Sequence, residues 1–481
     1  MRPTGMLDVS TEDITDGPIA ATLLALSLPL VVQNLVQVLN KLVDTFWLGR
    51  LGESEVAAVG LNFPLVASLF GVVMTATVGT QILVAQRVGN GDERGARRLI
   101  VNGVALAGVL AVAVVGIVAV AGPRLVAVLA SDSTVAPLAA SYLLVWVAFF
   151  PFSAASNTLE RGFIGWGDTA AALRINLAAI GTNVLLDPFL ILGIGPVPRL
   201  GVEGAALATG LGYVAGIVVA MVLVVGVRES LSLSVADVAF SADDLRELVA
   251  VGTPISGKRL VGQSARIAIV GIVAVVGGAA GLAAYTVGAR IATIAFVPAT
   301  GFGSAAQSMV GQNLGTGRRN RAHGTIRSGA LIAGGTIGAV GVVQWLVPGL
   351  VATLFVPGFA GEGLDLTVDY LRILAYSYWA MGVSAVLLAA FNGASRTRVS
   401  LLVDLLKYWG MRIPLAAAAM PAAATAVYGI AVGGLDLGVH AIFWAVTGSN
   451  IVTAVGVGAF YLLRYERMFS DAAEEAAATA D

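Results

Sequence analysis

Long apolar runs, broken by short polar stretches, organise the chain. Residues 101–121 and 214–227 are almost wholly apolar and show no period-two alternation. Runs of this kind match the roughly 20 residues an α-helix needs to cross a bilayer, whereas a membrane β-barrel shows alternating segments of about 10. The pattern predicts twelve spans, at 19–48, 55–85, 99–121, 135–159, 170–194, 202–227, 248–276, 282–309, 325–346, 368–390, 399–422 and 437–463. The one long polar connection, 228–246, falls after the sixth. The expected organisation is an N-terminal tail (1–17), a first lobe (18–227), a linker (228–246), a second lobe (247–465) and an acidic tail (466–481).

Composition supports that reading. Of 481 residues, 57% are hydrophobic and only 12% charged, against about a quarter charged in soluble domains, and the mean hydropathy is +0.88. The absence of cysteine excludes a disulfide scaffold. The apolar content excludes disorder. A net charge of −1 gives no basic excess for nucleic acid. The 59 glycines suit helices that approach closely in lipid. The N-terminus is acidic and lacks the basic region of a signal peptide. The expected fold is all-α and integral to the membrane, with twelve transmembrane helices in two six-helix lobes.

Charge sorts by side. Alternate loops hold Arg87, Arg94, Arg97 and Arg98, then Arg161 and Arg174, Arg228 and Arg246, Arg318, Arg319, Arg321 and Arg327, and Arg396 and Arg398, while Arg50, Arg124 and Arg199 stand opposite. The positive-inside rule makes the first set cytoplasmic. Both termini then face the cytoplasm, as an even number of spans requires. A multi-pass plasma-membrane protein is expected.

The halves also repeat. VAQRVGNGDERGA (84–96) aligns without a gap to VGQNLGTGRRNRA (310–322), FIGWGDT (163–169) to FNGASRT (391–397), and Pro29 to Pro254. Each half has an even number of spans, so the repeat is parallel, about an axis along the membrane normal. Such architectures are typical of transporters.

Polar groups inside spans are costly and tend to be functional. The first span carries Asn34, Gln37, Lys41 and Asp44 at steps of three, four and three, all on one helical face. The fifth carries Asn176, Asn183 and Asp187 on one face. Pro188 follows Asp187 and leaves the Val184 carbonyl without its helical donor. The sixth carries Thr209 among small residues. Two carboxylates, amides and a hydroxyl suit a small hard cation with oxygen ligands. They equally suit a proton, because burial beside a like charge favours a neutral carboxyl. An ion pair between Lys41 and Asp44, and plain interhelical hydrogen bonds for the asparagines, are the structural alternatives.

The second half lacks the acidic pair. By the repeat, Asp44 maps to Ile269, Asp187 to Leu415, Asn34 to Arg259, Lys41 to Arg266 and Asn176 to Asp404. Lys258, Arg259, Arg266, Lys407 and Arg412 stand there, partly answered by Asp404. Asp404 and Lys407, three apart, are expected to pair on one helix face. The set reads as a polar network with a possible contact to an anionic substrate or lipid. Enzymatic motifs are missing, with no HExxH and no Walker A sequence.

PLVVQNLVQVLNKLVDTFWLGRLG, VAQRVGNGDERGARR, GFIGWGDT, NVLLDPFLILG and GVEGAALATG together resemble the multidrug and toxic compound extrusion (MATE) transporters, closest to their archaeal and DinF-like branch. The resemblance covers about 19–465. It implies a secondary active antiporter that exports cationic or amphipathic organic compounds in exchange for Na⁺ or H⁺ by alternating access, needing no cofactor, in the lipid bilayer and as a monomer. It assigns cation coupling to Asp44, Asn183, Asp187 and Thr209, which would also ligate Na⁺. Substrate contacts fall to Gln37 and Asn157, with Asn34, Asn176 and Lys41 on the same faces, and helix bending to Pro29. Lys41 departs from the family pattern. The nearest rival is a lipid-linked precursor flippase of the same superfamily, with Arg259 and Arg266 holding a pyrophosphate. A retinal protein is disfavoured because 437–463 has no lysine, and a channel because of the two-lobe repeat.

Overall fold

The computed structural model describes residues 11–129, 135–195, 198–224, 231, 239–355, 361–423, 425–427 and 430–478. Its first half runs through α1 (Thr11–Asp16), α2 (Ile19–Gly49), α3 (Glu53–Gly89), α4 (Glu93–Leu129), α5 (Val135–Ala148), α6 (Phe150–Trp166), α7 (Thr169–Leu192) and α8 (Val202–Val222). Then follow α9 (Ala242–Ala295), α10 (Val297–Gly315), α11 (Arg319–Leu346), α12 (Pro348–Phe355), α13 (Glu362–Ala375), α14 (Tyr378–Gly393), α15 (Thr397–Leu405), α16 (Ile413–Ala417) and α17 (Gly438–Ala478).

Eight of the described helices are long and apolar enough to cross a membrane, or eleven when each bent pair counts once. Three crossings expected as single helices are bent. The pair α5–α6 turns by 51°, α13–α14 by 51°, and the second part of α9 with α10 by 43°. Equivalent places in the two halves, α5–α6 and α13–α14, therefore bend equally. Pro151, in the first turn of α6, has no N–H to continue the ladder from α5. The eleventh crossing, expected at 399–422, is built from α15, a π-helical turn at Leu406–Arg412 and α16. Beyond it lies a small antiparallel hairpin, Thr425–Val427 with Ile430–Val432, in a chain otherwise read as all helix.

The chain divides into two compact units. Unit 1 is Met1–Ser256, Gly311–Arg318 and Ala476–Asp481, and unit 2 is Gly257–Val310 and Arg319–Glu475. The division falls inside α9, beyond the polar stretch 228–246. The start of α9 is tied to unit 1 by charge and by close packing. Asp244 accepts from Arg87 at 3.0 Å and from Arg98 at 2.7 Å. Asn102 donates to the Ala239 carbonyl at 2.9 Å. A Cβ on Gly252 would stand 1.9 Å from the Thr75 carbonyl oxygen, so only glycine admits that approach.

Small residues set the packing of each unit. Gly204, Ala208, Gly212 and Gly216 repeat every four residues on α8, which places them on one helical face. A Cβ on Gly212 would meet the Ala179 carbonyl oxygen of α7 at 2.4 Å. In unit 2 a Cβ on Gly382 of α14 would meet the Ala333 carbonyl oxygen of α11 at the same 2.4 Å. Such small faces let helix backbones approach where lipid provides no hydrophobic drive. Aromatic and aliphatic residues fill the interior, with Trp146 and Phe150 among the core of unit 1 and Tyr370, Tyr378 and Phe443 in that of unit 2.

Among the described residues both expected tails carry helix. The described part of 1–17 is α1, whose Ile14 is fully buried. Arg318 donates to the Thr15 carbonyl at 2.6 Å and pairs with Asp16. At the other end α17 continues through 466–478 as helix.

Candidate functional site

The site in unit 1 is assembled from α2, α6 and α7. Asp168 caps α7, its side chain accepting from the Ala171 amide at 2.9 Å. The helix then carries Asn176, Asn183 and Asp187 inward, all three buried. Opposite them α2 runs continuously through the buried Pro29.

Asp44 and Asp187 meet. Their carboxyl groups lie within hydrogen-bonding reach of each other, and Asp187 is wholly buried. Ionised carboxylates only accept hydrogen bonds, so these two bond each other only when one carries a proton. Asn183 donates to Asp187 Oδ1 at 3.1 Å, and its own oxygen accepts from Asn40 at 2.8 Å. Tyr142 of α5 is buried within electrostatic range of both acids. No group of three or more His, Cys, Asp or Glu side chains gathers among the described residues. At the pair, Asn183 presents its amide nitrogen to Asp187 and turns its amide oxygen to Asn40.

The other expected residues are placed differently. Thr209 turns its hydroxyl onto its own helix, donating to the Ala205 carbonyl at 3.0 Å. Asn157 likewise donates to the Ser153 carbonyl at 2.8 Å. Asn34 and Gln37 are half-buried on α2. The side chain of Lys41 lies outside the described residues. Asn176 faces Glu160 instead of the acid pair, with its amide nitrogen 3.5 Å from Oε2.

Glu160 was not anticipated, nor were Gln33 and Asn40. Glu160 is buried on α6 and accepts from Gln33 at 2.7 Å. Gln33, Gln37, Asn40 and Asp44 follow steps of four, three and four, so they share a face as well as the expected stripe does. The polar face of α2 is therefore wider than the four residues singled out, and it is anchored at Gln33 and Asn40. A signal existed in the spacing of Gln33 and Asn40, seven apart. Glu160, beside Arg161 at the end of the fourth expected span, read as part of a cytoplasmic loop.

In unit 2 the expected pair of Asp404 with Lys407 is replaced. Asp404 pairs with Lys258 at 3.7 Å. The π-helical turn begins at Leu406 and widens the helix, so the i,i+3 adjacency of an α-helix does not carry across it. Lys407 and Arg412 instead lie over the Tyr408 ring, at 5.3 and 4.8 Å from its centroid. Arg412 also donates to Ser449 at 2.8 Å and to Asn450 at 2.7 Å. Arg259 and Arg266 are exposed on the seventh span.

Comparison with known proteins defines the class. The MatE family model matches residues 29–189 and again 254–418. The chain belongs to this family of multi-pass membrane transporters, and it is not an enzyme. It is 29% identical over 395 residues to a probable multidrug resistance protein NorM of Deinococcus radiodurans, covering 80% of this chain and 85% of that protein. It is 25% identical over 407 residues to a FAD transporter of Shewanella oneidensis, covering 84% and 89%. A solved outward-facing multidrug resistance MATE family transporter of the MOP superfamily superposes with a TM-score of 0.86 at 25% identity, over 96% of this chain and 99% of that one.

Proposed function

We propose that this protein is a secondary active efflux antiporter of the plasma membrane, with both termini cytoplasmic. It exports cationic or amphipathic organic compounds in exchange for Na⁺ or H⁺. The observation that carries the reading is the contact between the Asp44 and Asp187 carboxyls, joined to Asn40 through Asn183. Two acids in contact are stable only when one charge is neutralised, so occupancy of the pair by an ion changes how tightly α2 and α7 hold together. An ion and a substrate that favour different conformations of one unit are coupled by linkage. In this reading the ion enters from outside and neutralises the pair, α2 bends at Pro29, and the substrate is released outward. Thr209, with its hydroxyl lone pairs still open to a ligand, completes the ion's oxygen shell. Gln37 and Asn157, with Asn34, Asn176 and Lys41, contribute to the polar lining of the same unit.

The test is reconstitution into liposomes, with ethidium efflux driven first by a sodium gradient alone and then by a pH gradient alone. Efflux under at least one gradient is expected, and whichever drives it names the coupling ion. Ethidium movement indifferent to both gradients would overturn the proposal.

A further inference from the structure

Unit 2 holds a cluster of basic side chains that the ion exchange proposed above does not use. Between Gly257 and Gly361 the chain carries no carboxylate at all, and Asp404 is the one acid on the crossing that holds Lys407 and Arg412. Yet Lys258, Arg259, Arg266, Lys407 and Arg412 all lie within the seventh and eleventh crossings. Lys258, Arg266, Lys407 and Arg412 are neighbours in space, and Arg259 lies seven residues before Arg266, two turns away on the same helical face. Lys407 lies in electrostatic range of Lys258, Asp404 and Arg412. Tyr408 lies in range of Asp404, Arg266 and Arg412, and Tyr285 in range of Arg266 and Arg412.

This is more positive charge than a structural network needs. Asp404 is already paired with Lys258. Arg412 is held by neutral partners, Ser449 and Asn450. Arg259 and Arg266 leave their side chains exposed in the middle of a crossing. Guanidinium groups at that depth almost always face the bundle interior or a water-filled cavity and mark substrate or ion pathways. Lys407 and Arg412 stand over the ring of Tyr408, and one of the two segments that supply the cations is a π-helical turn. Such turns are rare and are found frequently at functional sites. Guanidinium groups match carboxylate and phosphate geometry with paired donors, and they stack on aromatic faces.

We propose that unit 2 contains a binding site for an organic anion, a carboxylate or phosphate carried on an aromatic ring system. Arg259 and Arg266 hold the charged group, and Tyr408 with Tyr285 flanks the ring. The proposal rests on the transport function above and extends its substrates to amphipathic anions. The polarity of the site is opposite to that expected for an organic cation.

The test is equilibrium binding to the purified full-length protein in a neutral detergent without any ion gradient. It therefore does not depend on coupling, and its failure leaves gradient-driven efflux untouched. Three probes share one ring and differ in charge: naphthyl phosphate, naphthol and naphthylmethylammonium. Naphthyl phosphate is expected to bind at least about tenfold more tightly than either of the others, the value of one charged hydrogen bond. Arg259→Gln and Arg266→Gln should each remove about tenfold of that affinity and leave the naphthol value unchanged. Both side chains are exposed, so these variants are expected to fold, and an unchanged elution profile and melting temperature verify this. Equal affinity for the three probes would overturn the proposal. So would binding of short-chain phosphatidylglycerol with none of naphthyl phosphate, which would mark a lipid-headgroup site.

Discussion

Where unit 1 has Asp44 and Asp187, the repeat gives unit 2 Ile269 and Leu415. Ile269 is almost wholly buried in an apolar core. Both units draw helices together through glycines that touch a neighbouring carbonyl, and both bend their fourth crossing by 51°. The scaffold is therefore common to both and the polar content is not. Unit 1 brings two acids together on α2 and α7, and unit 2 gathers cations with aromatic neighbours. Backbone packing in a membrane depends on small residues at contact faces, which leaves the remaining positions open to different chemistry. One half of a duplicated architecture can then bind the coupling ion while the other recognises a substrate group.

The largest expected effect lies in the acids. In the wild type, ethidium affinity should shift with Na⁺ or with pH, by up to about a hundredfold, the upper end of usual coupling energies. The double variant Asp44→Asn, Asp187→Asn should bind ethidium with no such shift, as fluorescence titration across ion concentrations would show. A retained shift would place the ion site elsewhere, unit 2 included.

Next come the shared contacts. Gly212→Leu in unit 1 and Gly382→Leu in unit 2 force a side chain against a carbonyl that a Cβ alone would approach to 2.4 Å. Each should destabilise by roughly 1–3 kcal/mol or more, read as a lowered melting temperature in detergent. A large effect in one unit and none in the other would break the equivalence of the two scaffolds.

Gln33→Ala leaves the buried Glu160 without its 2.7 Å donor, at about 1–3 kcal/mol. Asn40→Ala removes only the outer support of Asn183 and should cost about 1 kcal/mol, with a correspondingly small change in ion dependence.

The pattern of apolar runs showed where the crossings lie because lipid imposes length and hydropathy directly on the sequence. The acid pair was legible because ionisable groups in such runs are rare. What stayed hidden depends on contacts between helices. The stripes 34, 37, 41, 44 and 33, 37, 40, 44 both fit one face of α2, and only Glu160 and Asn183 on other helices pick out Gln33 and Asn40. Thr209 satisfies its hydroxyl on the carbonyl four residues back, a local bond open to any helical threonine. The π-helical turn at Leu406–Arg412 carries no hydropathy signature, so the pairing of Asp404 with Lys258 was equally invisible.

The central claim is that the coupling ion acts at the acid pair of unit 1. The most direct test compares two transport modes of Asp187→Asn in liposomes: efflux driven by the ion gradient, and substrate exchange at equal ion concentrations on both sides. Gradient-driven efflux should be lost while exchange continues at near the wild-type rate. Wild-type gradient-driven efflux in this variant would contradict the account.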